Sequence, residues 1–125
     1  MKIKNYILGS WEEGKGIEIE HHHAINGKLI STCSSDGLDY KAVMDYARNT
    51  GGPALRKMTF QERGRMLKAL ALHLMANKKK FYQLSAATGA TKIDSWIDIE
   101  GGIGNLFANA SLRRQFPDLP YYVDG

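Results

Sequence analysis

Trp96, Ile99, Ile103, Leu106 and Ala110 recur at intervals of three, four, three and four, and no other feature constrains the fold as tightly. An apolar seam at that period marks a helix that lays one face on a partner. It predicts one continuous helix from about Lys92 to Leu112. The same stretch, DSWIDIEGGIGNLF (Asp94–Phe107), also admits a nucleotide-loop reading. Residues 96–100 would then form a short strand, Gly102-Ile103-Gly104 a tight turn, and the next residues a helix opening over a pyrophosphate. Two features oppose it. The third glycine position is Phe107, whose ring would obstruct helix–strand packing. The acidic residue required about twenty positions on would be Asp124, with RRQFPDLPYYV too short and proline-rich to complete a βαβ unit. A helix is therefore expected, although Gly101, Gly102 and Gly104 each cost it about 1 kcal/mol relative to alanine. Three glycines in one helix lead us to expect another backbone close against them.

The first third reads as β structure. NYILGSW is a plausible strand, and IEIEHHHAI alternates so that Ile17, Ile19, His21, His23 and Ile25 share a face. Asn26-Gly27 is a strong hairpin signal, with LISTC as the return strand. From Asp36 the period becomes helical. Asp36 suits the N-cap of LDYKAVMDYARNT, which Gly51-Gly52-Pro53 should stop. Thr59-Phe60-Gln61-Glu62 is a capping box opening a helix with Met66, Leu67, Leu70, Leu74 and Phe81 on one stripe. Lys78–Lys80 suggests a joint or frayed turn before FYQLSAATG continues to a stop at Gly89. Arg63 lies under the apolar stripe. It is either a snorkelling or ion-paired arginine, or one that holds a structural carboxylate or a loop backbone. The architecture expected is α+β: a β-ribbon arm over 1–35, three to four amphipathic helices over 36–112, and a proline-containing tail over 113–125.

A chain of 125 residues, 43% hydrophobic and 24% charged, suits one ordinary soluble domain. No apolar run approaches membrane-spanning length, and the N-terminus lacks a signal peptide's apolar core. A single cysteine, Cys33, excludes an internal disulfide framework and suits a reducing cytoplasm. The net charge of +4 is modest. Its clusters, Arg56-Lys57, Arg63/Arg65/Lys68, Lys78–Lys80 and Arg113-Arg114, have a spacing that could touch phosphates but reads more simply as solvated helix faces. A nucleic-acid module rests on these clusters alone, and no nucleic-acid partner is expected.

Other constellations fall short of a reactive centre. His21 and His23 share a strand face, yet no carboxylate or thiol at ligand spacing completes a metal set. Asp94 and Asp98, four apart, have no nearby nucleophile or proton partner. Cys33 has neither a neighbouring base nor a helix N-terminus directly behind it. No catalytic, cofactor-binding or metal-binding residue is assigned.

The order of these segments resembles the N-terminal region of the aldehyde dehydrogenase superfamily. NYILGSWEEGKG, AINGKLI, LDYKAVMDYAR and MTFQERGRMLKALALHLMANKKKFYQLSAATGATK carry the likeness. The family's hairpin turn typically reads N-P-A-T-G-E and its later corner E-T-G-K. Here HHHAINGKLI lacks the proline and threonine, and the corner reads ATGAT. Together with PALRKMTFQERGRMLKALALHL, the stretch QLSAATGATKIDSWIDIEGGIGNLFANASL resembles the bifunctional branch of phenylacetate degradation. That branch joins an aldehyde dehydrogenase domain to an enoyl-CoA-hydratase-like domain that opens oxepin-CoA. The likeness covers at least Lys4–Leu112. It implies a piece of an α/β aldehyde-dehydrogenase fold from an enzyme that oxidises a semialdehyde with NADP⁺. In that family a thiolate attacks the aldehyde, hydride passes to the nicotinamide, and a glutamate activates water. The cysteine, the glutamate, the oxyanion-binding asparagine and the cofactor loops all lie downstream of the matched region, and Cys33 does not match the nucleophile. The resemblance thus implies a chain inactive by itself that binds no cofactor. A homo-oligomer through the ribbon and the apolar helix faces is expected.

Overall fold

The computed structural model describes residues 1–124; Gly125, the last residue of the expected tail, lies outside them. The chain divides into two compact units, Met1–Pro53 and Ala54 onward, so the first helical residues belong with the strands.

The first unit contains β1 (Lys2–Ile3), β2 (Asn5–Ile7), β3 (Ser10–Glu12), β4 (Ile19–His22) and β5 (Leu29–Cys33). NYILGSW is not one strand but a hairpin, in which Tyr6 pairs with Trp11 and Ile7 with Ser10. Leu8 (φ 51°) and Gly9 (φ 82°) make its two-residue turn, whose positive angles match the strand twist. Leucine disfavours that region, which hid the turn from a sequence reading. The β4–β5 hairpin forms as expected, with a bulge between His21 and His22. Its loop is longer than a two-residue Asn-Gly turn. His23 closes it, donating to the Lys28 carbonyl at 2.8 Å and accepting from Gly27 N–H at 2.8 Å. Asn26 Oδ1 accepts from Lys28 N–H at 3.1 Å, which places Asn-Gly at the loop's end as a side-chain turn.

β1 joins this hairpin in parallel, giving the order β1-β5-β4. One cross-strand row is Ile3, Cys33 and Ile19, and the next is Lys2, Thr32 and Glu20. Successive strand residues face opposite sides, so Ile3, Cys33 and Ile19 share one face and the other is ionic. Lys2 Nζ lies 2.8 Å from Glu18 on the ionic side.

Asp39, not Asp36, caps the first helix, α1 (Tyr40–Tyr46), accepting from Ala42 N–H at 2.9 Å. The Asp36 carboxylate is already engaged by Ile17 N–H at 2.9 Å. Nor do Gly51-Gly52-Pro53 stop the helix. It widens into a π-helical turn, Ala47–Gly51, and continues as α2 (Gly52–Lys57). Gly52 N–H reaches the Ala47 carbonyl five residues back. The wider turn makes room for the Pro53 ring, which in a regular helix strikes the carbonyl four residues earlier.

In the second unit, α3 (Phe60–Ala87) opens on the expected capping box. Thr59 Oγ1 accepts from Glu62 N–H at 3.2 Å, and Glu62 Oε2 accepts from Thr59 N–H at 2.8 Å. The helix runs through Lys78–Lys80 without a joint and stops at Gly89 (φ 86°). A second capping box, Thr91 with Asp94, opens α4 (Lys92–Trp96). A π turn, Ile97–Gly101, then leads into α5 (Gly102–Ser111) and a 3₁₀ turn, Leu112–Gln115. The predicted helix is continuous, and it returns antiparallel to α3. Gly64 lies beside Ala110 and Arg113, Lys78 meets Glu100, and Ser85 meets Ser95.

The packing departs from expectation in three ways. First, Ser95 (3% exposed), not Trp96 (56% exposed), sits on the seam with Ile103 and Ala110. In uniform α geometry the seven residues from Trp96 to Ile103 turn about 700°, leaving them about 20° apart. The π turn spends one extra residue on the same rotation, so the aligned pair becomes Ser95 and Ile103. Second, Met66 and Leu70 on α3 are exposed, while Gly64 and Ala71 are buried. α5 approaches closely only where α3 has small side chains. Third, the close approach expected at Gly101, Gly102 and Gly104 is absent; a Cβ there would meet nothing within 4 Å. Gly64 takes that role, since a Cβ on it would lie 2.9 Å from the Ala110 carbonyl oxygen and 2.7 Å from Arg113 Cβ.

Candidate functional site

The glycine-rich segment is the first candidate, and its backbone is committed. Gly102 N–H donates to the Asp98 and Ile99 carbonyls inside the helix. Amides so engaged cannot cradle a pyrophosphate, and these residues do not fit a dinucleotide.

The ribbon brings together a pair that the sequence reading missed. His21 Nε2 lies 3.1 Å from Cys33 Sγ, which corrects the view that Cys33 has no neighbouring base. The two stand twelve residues apart and meet diagonally across the β4–β5 ladder, so the signal lay in the hairpin register. Cys33 borders a hollow of about 340 Å³ lined also by Asn5, Ile17, Ile19, Ser34 and Asp36. Three of its polar side chains are engaged by backbone: Asn5 Nδ2 donates to the Ser34 carbonyl at 2.8 Å, Ser34 Oγ accepts from Asp36 N–H at 3.3 Å, and the Asp36 carboxylate accepts from Ile17 N–H. Nothing there is arranged to orient a carbonyl substrate or stabilise an oxyanion.

The other histidines are separated. His22 lies across the strand from His21, bonding Glu20 at 3.0 Å and the Gly27 carbonyl at 3.1 Å. His23 Nδ1 accepts from Ile25 N–H at 3.2 Å. Among the described residues, no three His, Cys, Asp or Glu side chains converge on one point. Asp94 belongs to its capping box. The Thr91 hydroxyl, then the Thr91 amide, hold its carboxyl below the ordinary range. Asp98 is an exposed helix residue.

Arg63 holds loop backbone. Nε donates to the Met58 carbonyl and Nη2 to the Pro120 carbonyl, each at 3.1 Å, with the guanidinium 5.1 Å from the Phe60 ring centre. Gln61 Nε2 donates to the Arg113 carbonyl at 2.7 Å and the Phe116 carbonyl at 3.2 Å. Phe116 stacks on Phe60 at 4.7 Å and meets Tyr122 edge-on. The tail is thus strapped across the start of α3. Of the basic clusters, Arg63 and Arg113 are occupied by carbonyls and Lys78 by a carboxylate.

That carboxylate, Glu100, is the most developed polar site on the helix pair. Its Oε1 accepts from Lys78 Nζ at 3.0 Å and from Tyr82 OH at 2.8 Å. The Lys78 and Tyr82 hydrogen bonds hold Glu100 below the ordinary carboxylate range. Partial desolvation, then the Glu100 carboxylate, push the Tyr82 phenol up. Lys78 and Tyr82 share a face with Gly64, Leu67, Ala71 and Leu74 at three-and-four spacing, and that spacing was the available clue. Beside them lies an open apolar hollow of about 270 Å³ lined by Leu74, Phe81, Ile99, Gly102, Ile103 and Leu106. One carboxylate neutralised by one ammonium ties two helices together; it offers neither nucleophile nor free base.

These polar groups tie backbone segments and helices to one another. Over 104 residues the chain is 36% identical to a 3,4-dehydroadipyl-CoA semialdehyde dehydrogenase of Aromatoleum evansii. This supports kinship with the dehydrogenases, enzymes of the oxidoreductase kind. The match takes in 82% of the chain and 20% of the relative, so the chain spans about a fifth of that curated protein's length. No family model matches the chain. No helix among the described residues is long and apolar enough to cross a membrane.

Proposed function

We propose that this chain is the N-terminal part of an NADP-dependent semialdehyde dehydrogenase of aromatic catabolism, close to the bifunctional enzymes of phenylacetate degradation. In this reading it supplies scaffold and subunit contacts inside an α/β dehydrogenase fold and no reacting group. NADP⁺ would accept hydride at residues outside this chain. The substrate class is a semialdehyde carried on coenzyme A, by analogy with the Aromatoleum evansii protein. The carrying observation is that likeness over 104 residues, confined to 20% of the relative. The committed backbone of Gly101–Gly104 and the strapped tail support the scaffold role.

Subunit contacts fall to the surfaces left open. Ile17 and Ile19 project from the ribbon, Met66 and Leu70 from α3, Ile93 and Trp96 from α4, and Ile97 from the π turn that follows it. Homo-oligomerisation through the ribbon and these helix faces would cover them. A chimera tests the reading: the matching fifth of the Aromatoleum evansii enzyme is replaced by this chain. A soluble, folded chimera that still reduces its cofactor with a CoA-linked semialdehyde is expected. A folded chimera that binds cofactor but has lost all turnover would contradict it.

A further inference from the structure

The Ser95/Trp96 exchange on the seam points to a conformational device. We propose that the π turn Ile97–Gly101 is a register switch. The same residues pack either with Ser95 against α3, as here, or with Trp96 there after the extra residue is absorbed into regular α turns.

Both packings are written in the chain. Uniform α geometry places Trp96 within about 20° of Ile103, whereas one π turn places Ser95 there. The two seams share Ile99, Ile103, Leu106 and Ala110, so only α4 must rotate, by about 100°. Three features hold the observed state. Ser95 Oγ and Ser85 Oγ lie 2.9 Å apart in a half-buried site. Glu100, inside the turn, is bonded to Lys78 and Tyr82. Rotation would also carry Lys92, eleven residues before Ile103, towards the seam. Two features favour the alternative. Trp96 now leaves 56% of its surface in water. The antiparallel register, with Ser85 meeting Ser95 and Tyr82 meeting Glu100, places position 96 beside Ser85, one helical turn from the Phe81–Ile99 end of the open apolar hollow. The switch exchanges a buried hydroxyl pair for a buried indole.

The test uses Trp96 as its own reporter. Trp11→Phe leaves it the single tryptophan of the two in the chain. In that background Ser85→Ala with Lys92→Ala removes two of the three restraints. The expected result is a blue shift of Trp96 emission and at least a two-fold fall in iodide quenching. Deleting Gly101 as well should restore red, quenchable emission, because uniform α turns then return Ser95 to the seam. Unchanged emission with helicity retained would overturn the proposal, as would a blue shift that survives the deletion. Should the double variant lose helicity, amide exchange decides on the Trp11→Phe chain. Deleting Gly101 should slow exchange across residues 97–102 at least ten-fold, and no slowing would overturn the switch. None of these readouts depends on the dehydrogenase reading.

Discussion

Gly64 and Gly104 are the same residue type in facing helices, and their substitutions should act in opposite directions. A methyl on Gly64 meets the Ala110 carbonyl oxygen at 2.9 Å and Arg113 Cβ at 2.7 Å. Backbone and Cβ cannot yield as a side-chain tip can. Gly64→Ala is expected to cost about 1–3 kcal/mol by overpacking. Gly104→Ala enters open space and should stabilise by up to about 1 kcal/mol through helix propensity. Urea unfolding of both variants checks the pair, and equal signs would refute this account of the seam. Such contrasts are not legible in sequence, where both glycines look like helix defects. Arg63 was partly legible: its place under the apolar stripe marked it as unusual, but the Pro120 carbonyl it binds lies far along the chain. Cys33 and His21 were misjudged because strand register, not sequence distance, brings them together.

At the scale of elements, the local signals were the legible ones. The Thr59–Glu62 box needs only four residues, and the structure forms it as read. Thr59→Ala should cost about 1 kcal/mol, seen as a lower urea midpoint; no change would mean that packing alone sets the start of α3. The continuity of the helix across residues 92–112 was equally legible, since five apolar residues share one period. Its phase was not, because a π turn leaves no residue-type signature beyond the glycines that tolerate it. The Leu8-Gly9 turn escaped notice for the converse reason: a leucine occupies a position that usually advertises itself with asparagine or glycine.

Acid should loosen these elements. Hydrogen bonds from Lys2, Thr91 and Lys78 hold Glu18, Asp94 and Glu100 below their ordinary ranges. Groups depressed in the folded state contribute stability that is fully present above the unfolded carboxylate pKa, about 4. That contribution is lost as pH falls through the lower folded values. The melting temperature should therefore hold from pH 7 to about 5 and fall below about 4. Glu100→Gln should flatten part of that fall, and a profile independent of pH would refute the assignment.

At the scale of the whole chain, burial is thin. Only Ala71, Ile103 and Ala110 form a buried apolar core among the described residues, and no large side chain is fully buried. The isolated chain should accordingly bind hydrophobic dyes and associate as its concentration rises. Light scattering showing a monomer at every concentration, with a cooperative melt and no dye binding, would contradict that expectation. Composition could not show this, because 43% hydrophobic residues are compatible with a full core. The shortfall emerges only when the stripe of α3 is seen to be wider than the face α5 covers.

The most direct measurement is reduction of NADP⁺ by the purified 125-residue chain supplied with a CoA-linked semialdehyde. A rate no greater than that of buffer is expected, with Cys33 and His21 unable to substitute for an organised centre. Sustained turnover that follows chain concentration and disappears with Cys33→Ser would contradict the scaffold role and place the chemistry on the ribbon.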